Sequence, residues 1–240
     1  MLDDWSNGNI EDVFRNINMD NQIFRQKFLL HIKGLKIYQQ KQLANTYDSH
    51  TNSTPLIQRC FKGDIDVVKW CLHHCISNVN HCRIGGASPL FMACQEGHAE
   101  VVHILINNKA EVNKCNNKEI SPLFIACQKE HTEVVQMLTK NKRDINKCND
   151  KNVSHLDIVY YYGHTVVVQM LVNNKADINK CRKTGESPIL IACYKVYTEI
   201  VELLLKHKAD CNIKWRGITP LNIARQENHT NIVHLLQKQL

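Results

Sequence analysis

The chain has 240 residues, 43% of them hydrophobic and 22% charged, with a formal net charge of +7; this composition suits a folded soluble domain and excludes a chain too polar to build a core. No apolar run approaches the ~20 residues of a membrane-spanning helix, and the basic residues are scattered through phrases such as NNKADINK, so neither a membrane nor nucleic acid is an expected partner. The opening MLDDW is acidic and has no apolar h-region, which makes an intracellular location, cytoplasmic or nuclear, the expectation.

Residues 1–50 differ in kind from the rest. The stretches NIEDVFRNI and NQIFRQKFLLHIKGLKIYQQKQLA place Ile, Phe and Leu at helical spacing, with Gly34 as a break, and predict helices that cover the apolar end of the neighbouring segment from residue 51 onward.

From Thr54 onward one phrase returns six times: TPLIQRC, SPLFMAC (Ser88), SPLFIAC (Ser121), SHLDIVY (Ser154), SPILIAC (Ser187) and TPLNIAR (Thr219). Measured from Pro55 through Pro89, Pro122, His155 and Pro188 to Pro220, the steps are 34, 33, 33, 33 and 32 residues, the mark of a stacked repeat array. Within a copy, Ser121 can cap a helix whose first position, Pro122, lacks an N–H that would have no partner in any case. Leu123, Ala126 and Cys127 then share a helix face, and after a turn at Glu130 and His131 a second helix begins with Glu133 near its positive end and Val134, Val135 and Leu138 on its apolar side. One such copy cannot bury enough surface to stand alone, so stability must come from stacking. Two irregularities stand out: the first copy carries one extra residue near His73 to Ser77, and the last loop is one residue short.

No Walker-type loop, G-x-S-x-G elbow, H-E-x-x-H or Ca-loop pattern occurs, and catalysis is not expected. His98, His131, His164 and His229 share one turn position, which makes them caps or packing groups. Cys82, Cys115, Cys148 and Cys181 lie 33 apart, and Cys60, Cys94, Cys127 and Cys193 recur on the first helix. Equivalent positions on stacked helices sit about 8 to 10 Å apart, beyond the ~7 Å reach of a disulfide, so reduced thiols are expected. Cys71, His73, His74 and Cys75 have no second ligand pair at suitable spacing, and neither metal nor cofactor is expected.

The residues TPL, ACxxGH, EVVxxL and ADIN closely resemble the ankyrin repeat over 51–240. The resemblance implies an all-α, ankyrin-repeat α-solenoid, a helix–turn–helix plus a hairpin-like finger per repeat, with repeats at about 51–84, 85–117, 118–150, 151–183, 184–215 and 216–240 behind a helical N-terminal cap or linker over 1–50. It further implies a non-catalytic scaffold or adaptor, expected to be a monomer, that binds a protein partner on the concave face of fingers and first helices. Tyr, Trp and Arg dominate such contacts, which narrows the candidates to Tyr161, Tyr162, Tyr194, Arg182, Trp215 and Arg216; the competing reading is that Tyr161 and Tyr194 fill core gaps and Trp215 packs in the shortened loop. The loops Leu105 to Asn113, Leu138 to Asn146 and Leu171 to Asn179 resemble substrates of asparaginyl hydroxylase at Asn113, Asn146 and Asn179, although an Asn there also suits a turn with left-handed backbone.

The chain departs from the family pattern where the usual TPLH histidine is replaced by Ile57, Phe91, Phe124, Asp157, Leu190 and Asn222. Repeat four also has His155 in place of Pro and carries Asp157 and Val159 where apolar and Ala residues are usual, which predicts the weakest stacking there. The run WSNGNIEDVF followed by FRQKFLLHIKGL resembles the segment joining a P-loop NTPase unit to its ankyrin array in STAND-class proteins. The alternative function is therefore a regulatory or targeting subunit, or the C-terminal sensor tail of a larger NTPase-containing signalling protein.

Overall fold

The computed structural model describes residues 22–74, 78–140 and 145–239, and among them the chain forms fourteen helices and no strand. Two isolated bridges, Cys148 with Ser154 and Trp215 with Ile218, pinch two loops. The chain divides into two compact units, Met1–Asn117 and Lys118–Leu240.

The first unit holds α1 (Gln22–Gly34), α2 (Ile37–Ala44), α3 (Pro55–Lys62), α4 (Ile65–His74), α5 (Pro89–Glu96) and α6 (Ala99–Asn107). The first helix ends at Gly34, as its sequence predicts. Phe28, Ile32, Leu43 and Ala44 are buried, α2 packs on α4, and the Trp70 indole N–H donates to Gln40 Oε1 at 3.2 Å. The predicted helix over NIEDVFRNI lies outside the described residues. Up to His74 α4 counts ten residues against nine in α6; the extra residue expected near His73 to Ser77 falls where 75–77 lie outside the described residues.

The second unit holds α7 (Pro122–Gln128), α8 (Thr132–Lys140), α9 (His155–Tyr162), α10 (Thr165–Asn173), α11 (Pro188–Tyr194), α12 (Thr198–Lys206), α13 (Pro220–Gln226) and α14 (Thr230–Gln237). First helices α7, α9, α11 and α13 pack side by side, and so do second helices α8, α10, α12 and α14. Each first helix starts on a hydroxyl: Ser121 Oγ accepts the Phe124 N–H at 3.0 Å, and Thr54, Ser88, Ser154, Ser187 and Thr219 do the same for their own helices. Val134, Val135 and Leu138 are fully buried, as are Val167, Val168 and Leu171 and then Ile200, Val201 and Leu204, so the 33-residue period is the period of one continuous core.

The turn between the two helices of a repeat needs left-handed backbone. Gly163 stands there at φ 77°, and a Cβ on it would come within 2.8 Å of the Tyr197 ring. One repeat later Val196 holds the same position at φ 62° with its side chain 52% exposed. A β-branched residue in that region costs roughly 1–2 kcal/mol, and glycine's looser unfolded chain returns part of this. Val196→Gly is therefore expected to stabilise the protein by about 0.5–1 kcal/mol, read as a rise in the urea midpoint; a fall would refute the strain.

Repeat four does not lack adhesion. Leu156, Val159 and Tyr160 are buried, and the two departures from the repeat pattern form hydrogen bonds. His155 sets Nδ1 2.7 Å from the Ile145 carbonyl oxygen and Nε2 3.0 Å from Ser121 Oγ, tying repeat four to repeat three. Asp157 accepts from Ser154 N and Oγ, both at 2.8 Å, and from Arg182 Nε at 3.4 Å, while Arg182 Nη2 donates to the Asp157 carbonyl oxygen at 3.1 Å. His155 and Asp157, which underlie the expectation of weakest stacking at repeat four, make side-chain bonds that run from repeat three to repeat five; comparing hydrogen-exchange protection of 154–170 with that of 121–138 tests the expectation.

Candidate functional site

Successive fingers are fastened by a ladder of asparagines. Asn80 Oδ1 accepts the Glu111 N–H at 2.6 Å, Asn146 Oδ1 the Asp177 N–H at 2.9 Å and Asn179 Oδ1 the Asp210 N–H at 2.9 Å. The sequence pattern ascribes Asn113, Asn146 and Asn179 to left-handed turns, yet none of them has a positive φ; in the loops of Asn113 and Asn179 it falls on Lys109 and Lys175 instead. The recurrence of Asn80, Asn113, Asn146, Asn179 and Asn212 is the signal for an inter-repeat contact. The carboxamides of Asn146 and Asn179, two of the three candidate hydroxylation residues, are thus engaged by the next finger.

The turn histidines form a second set of staples. His98 Nε2 lies 3.0 Å from the Phe61 carbonyl oxygen, His164 Nε2 3.1 Å from that of Gln128, and His229 Nδ1 3.0 Å from that of Cys193. In each case the ring N–H donates to the last turn of the preceding first helix, where carbonyls lack helical partners. Tyr197 substitutes its hydroxyl, which donates to the Tyr161 carbonyl oxygen at 3.4 Å. The reading of these residues as structural groups agrees with this placement.

With the backbone held, several of the side chains exposed at the ends of the first helices are aromatic. At the end of α9 only Tyr160 turns inward and is fully buried; Tyr161 and Tyr162 remain 47% and 46% exposed, and Tyr194, at the end of α11, 56%. Tyr161 and Tyr162 meet edge to face at 5.2 Å, Tyr162 stacks on the His164 ring at 5.6 Å, and Lys195 Nζ sits 4.8 Å over the Tyr161 ring. The Tyr162 hydroxyl accepts from Gln128 Nε2 at 3.3 Å. These contacts restrict the rings without covering them.

The other three candidates are placed differently. Arg182 is turned towards buried Asp157 and is committed to it. Trp215 is half-buried: its indole N–H donates to the Thr184 carbonyl oxygen at 2.9 Å, bracing the last finger against the one before. Arg216 is exposed, with its guanidinium carbon 4.8 Å over the Trp215 ring. That finger closes between Trp215 and Ile218, whereas the earlier ones close between Arg83 and Ala87 and between Arg182 and Glu186, which is the missing residue of the sequence.

The helix-borne thiols Cys60, Cys94, Cys127 and Cys193 are buried, the loop-borne ones half-buried, and the described cysteines form no disulfide. Among the described residues no group of His, Cys, Asp or Glu is arranged to hold a metal ion, and no helix is long and apolar enough to cross a membrane.

Comparison with known proteins agrees with this architecture. A family model described as ankyrin repeats, three copies long, matches overlapping stretches at 26–116, 56–151, 111–181 and 156–239. A solved structure, an ankyrin repeat domain from Acinetobacter baumannii AYE, is similar at 26% sequence identity and a TM-score of 0.72, over 77% of this chain and 97% of that one. Ankyrin repeats are in general protein-interaction modules without enzymatic activity. The stacked helix pairs, the hydroxyl-capped first helices and a model match spanning nearly the whole described chain place this protein in the ankyrin-repeat family, as an all-α repeat solenoid.

Proposed function

We propose that the chain is a non-catalytic scaffold or adaptor that binds a protein partner across the fingers and first helices of repeats four to six, through Tyr161, Tyr162, Tyr194, Trp215 and Arg216, with Arg182 positioning its finger. The observation that carries this is the exposure of three tyrosines, each close to half, on helices whose other aromatic, Tyr160, is wholly enclosed. A ring held by its neighbours yet open to solvent loses little conformational freedom on contact, and such residues dominate interface energies. Residues 1–50 serve in this reading as the cap of repeats 51–240, and the chain acts as a monomer. The set of loop thiols outside any disulfide, among them Cys82, Cys181 and Cys211, supports an intracellular setting, where thiols stay reduced.

A photo-crosslinking side chain in place of Tyr162 or Tyr194 is expected to trap the partner, while the same group in place of Val166, exposed on second helix α10, does not. With that partner purified, Tyr162→Ala combined with Tyr194→Ala should weaken binding by about tenfold or more. Equal trapping from position 166, or unchanged affinity of the double variant, would remove this surface.

A further inference from the structure

A second recognition site lies in the first unit and does not rest on the tyrosine surface. Between α3, α5 and the finger of the first repeat there is a pocket of about 200 Å³. Its apolar floor is Ile57 and Met92, both buried, and Phe61 stands at its side. Its polar lining includes three cations, Arg59, Lys62 and Arg83, and no carboxylate. Arg59 is buried and bound to Asp64 at 3.1 Å, and Arg25 meets the same carboxylate at 3.3 Å. Among the described residues, neither Lys62 nor Arg83 has an acidic group within ion-pair reach.

The site is also held in shape. The Arg83 N–H donates to the Ala87 carbonyl oxygen at 3.1 Å, the Arg83 carbonyl accepts from Gly86 at 2.9 Å, and Ile84 N donates to the Thr51 carbonyl oxygen at 2.7 Å. One residue before, the Cys82 carbonyl accepts from Asn52 Nδ2 at 3.0 Å. The Phe61 carbonyl, which would otherwise point partial negative charge from the end of α3, is taken by the His98 ring. A pocket of positive potential that needs no reorganisation favours an anion. Its volume falls below the roughly 300–1,000 Å³ of small-molecule sites, which suits one side chain rather than a nucleotide or other metabolite.

We propose that this pocket takes a single anionic side chain, a carboxylate or a phosphomonoester, from a peptide laid along the first helices and finger of repeats one and two. Lys62 and Arg83 make the charge-assisted hydrogen bonds, and the methylenes of the bound side chain rest on Ile57, Met92 and Phe61.

Titration of the full-length ¹⁵N-labelled protein with N-acetyl-phosphoserine methylamide, N-acetyl-glutamate methylamide and neutral N-acetyl-glutamine methylamide tests this directly. Expected are saturable shifts of the Lys62, Arg83 and Met92 amides with at least one anionic probe and none with the glutamine probe; the stronger anion assigns phosphate or carboxylate. Arg83→Gln and Lys62→Gln, both outside the core, should each weaken that probe by about tenfold, and added salt should weaken it further. Tyr162→Ala should bind the probe like the parent protein, which separates this site from the tyrosine surface. Shifts that do not saturate, equal shifts from the glutamine probe, or undiminished binding by Arg83→Gln would overturn the proposal; so would inorganic phosphate binding as tightly as phosphoserine, since nothing would then select a side chain.

Discussion

Between pH 9 and pH 11 the protein is expected to lose stability at roughly 4 kcal/mol per pH unit. Cys60, Cys127 and Cys193 are fully buried, and burial pushes each thiol above its ordinary value near 9: Cys60 well above it, with Cys71 and Cys94 adding to the effect, Cys127 strongly, and Cys193 to about 12. The Tyr160 phenol is raised too, first by burial and then by Asp157 and Asp177. These groups hold their protons when folded and release them when unfolded, once the pH passes the unfolded values. Their contribution is complete below pH 9 and is lost as the pH rises. Each proton so held is worth about 1.4 kcal/mol per pH unit, and three thiols give the slope above. Over two units that is about 8 kcal/mol, comparable to the whole stability of an ordinary domain. Urea unfolding at pH 7, 9, 10 and 11 under reducing conditions measures it, and a Cys60→Ala, Cys127→Ala, Cys193→Ala variant should show a much flatter profile. A parent midpoint that stays level from pH 8 to pH 11 would contradict the enclosure of these thiols.

Those thiols were legible from their period alone: a small apolar residue repeating at one helical position is a core position, and Cys60, Cys127 and Cys193 are indeed enclosed. So were the caps, because Ser or Thr before Pro at the start of an apolar run has one physical use, and so was the short last finger, because residue counts translate directly into loop closure. Side-chain connections across repeats were not. Nothing in the local pattern around Asn146 says that its carboxamide reaches Asp177, or that Tyr197 replaces a histidine in the turn staple, since each bond joins residues more than thirty positions apart. The candidate surface was half legible. Aromatic residues at the ends of α9 and α11 could be read as exposed or as core, and the distinction between Tyr160 and its two neighbours depends on helical phase to within one residue. The pocket beside Arg83 was not legible as a pocket, because its charges come from a helix and a finger that only the folding of the first repeat brings together.

The cross-repeat bonds that the sequence concealed are also where single substitutions should cost most. Asp157→Ala is expected to destabilise the protein by about 3 kcal/mol. The carboxylate is 2% exposed and serves two purposes at once: Oδ2 accepts from the Ser154 amide and hydroxyl, and Oδ1 meets Arg182. Removing it takes away half of a capping box and leaves a partly buried guanidinium without its counter-charge, although the 23% exposure of that side chain lets water recover some of the loss and keeps the figure at the lower end of the usual range. Burying charge is itself expensive, so exchanging the pair for apolar groups should behave differently from breaking it. Asp157→Leu together with Arg182→Leu should recover most of the stability that Asp157→Ala loses. Hydrogen exchange then localises the effect: in Asp157→Ala, amides of 155–162 and of the finger at 182–186 should lose protection together, because Arg182 joins that finger to α9. If Asp157→Ala shifts the unfolding free energy by less than about 1 kcal/mol, the bridge from repeat four to repeat five contributes no more than a surface ion pair, and the repeat would depend on Leu156, Val159 and Tyr160 alone.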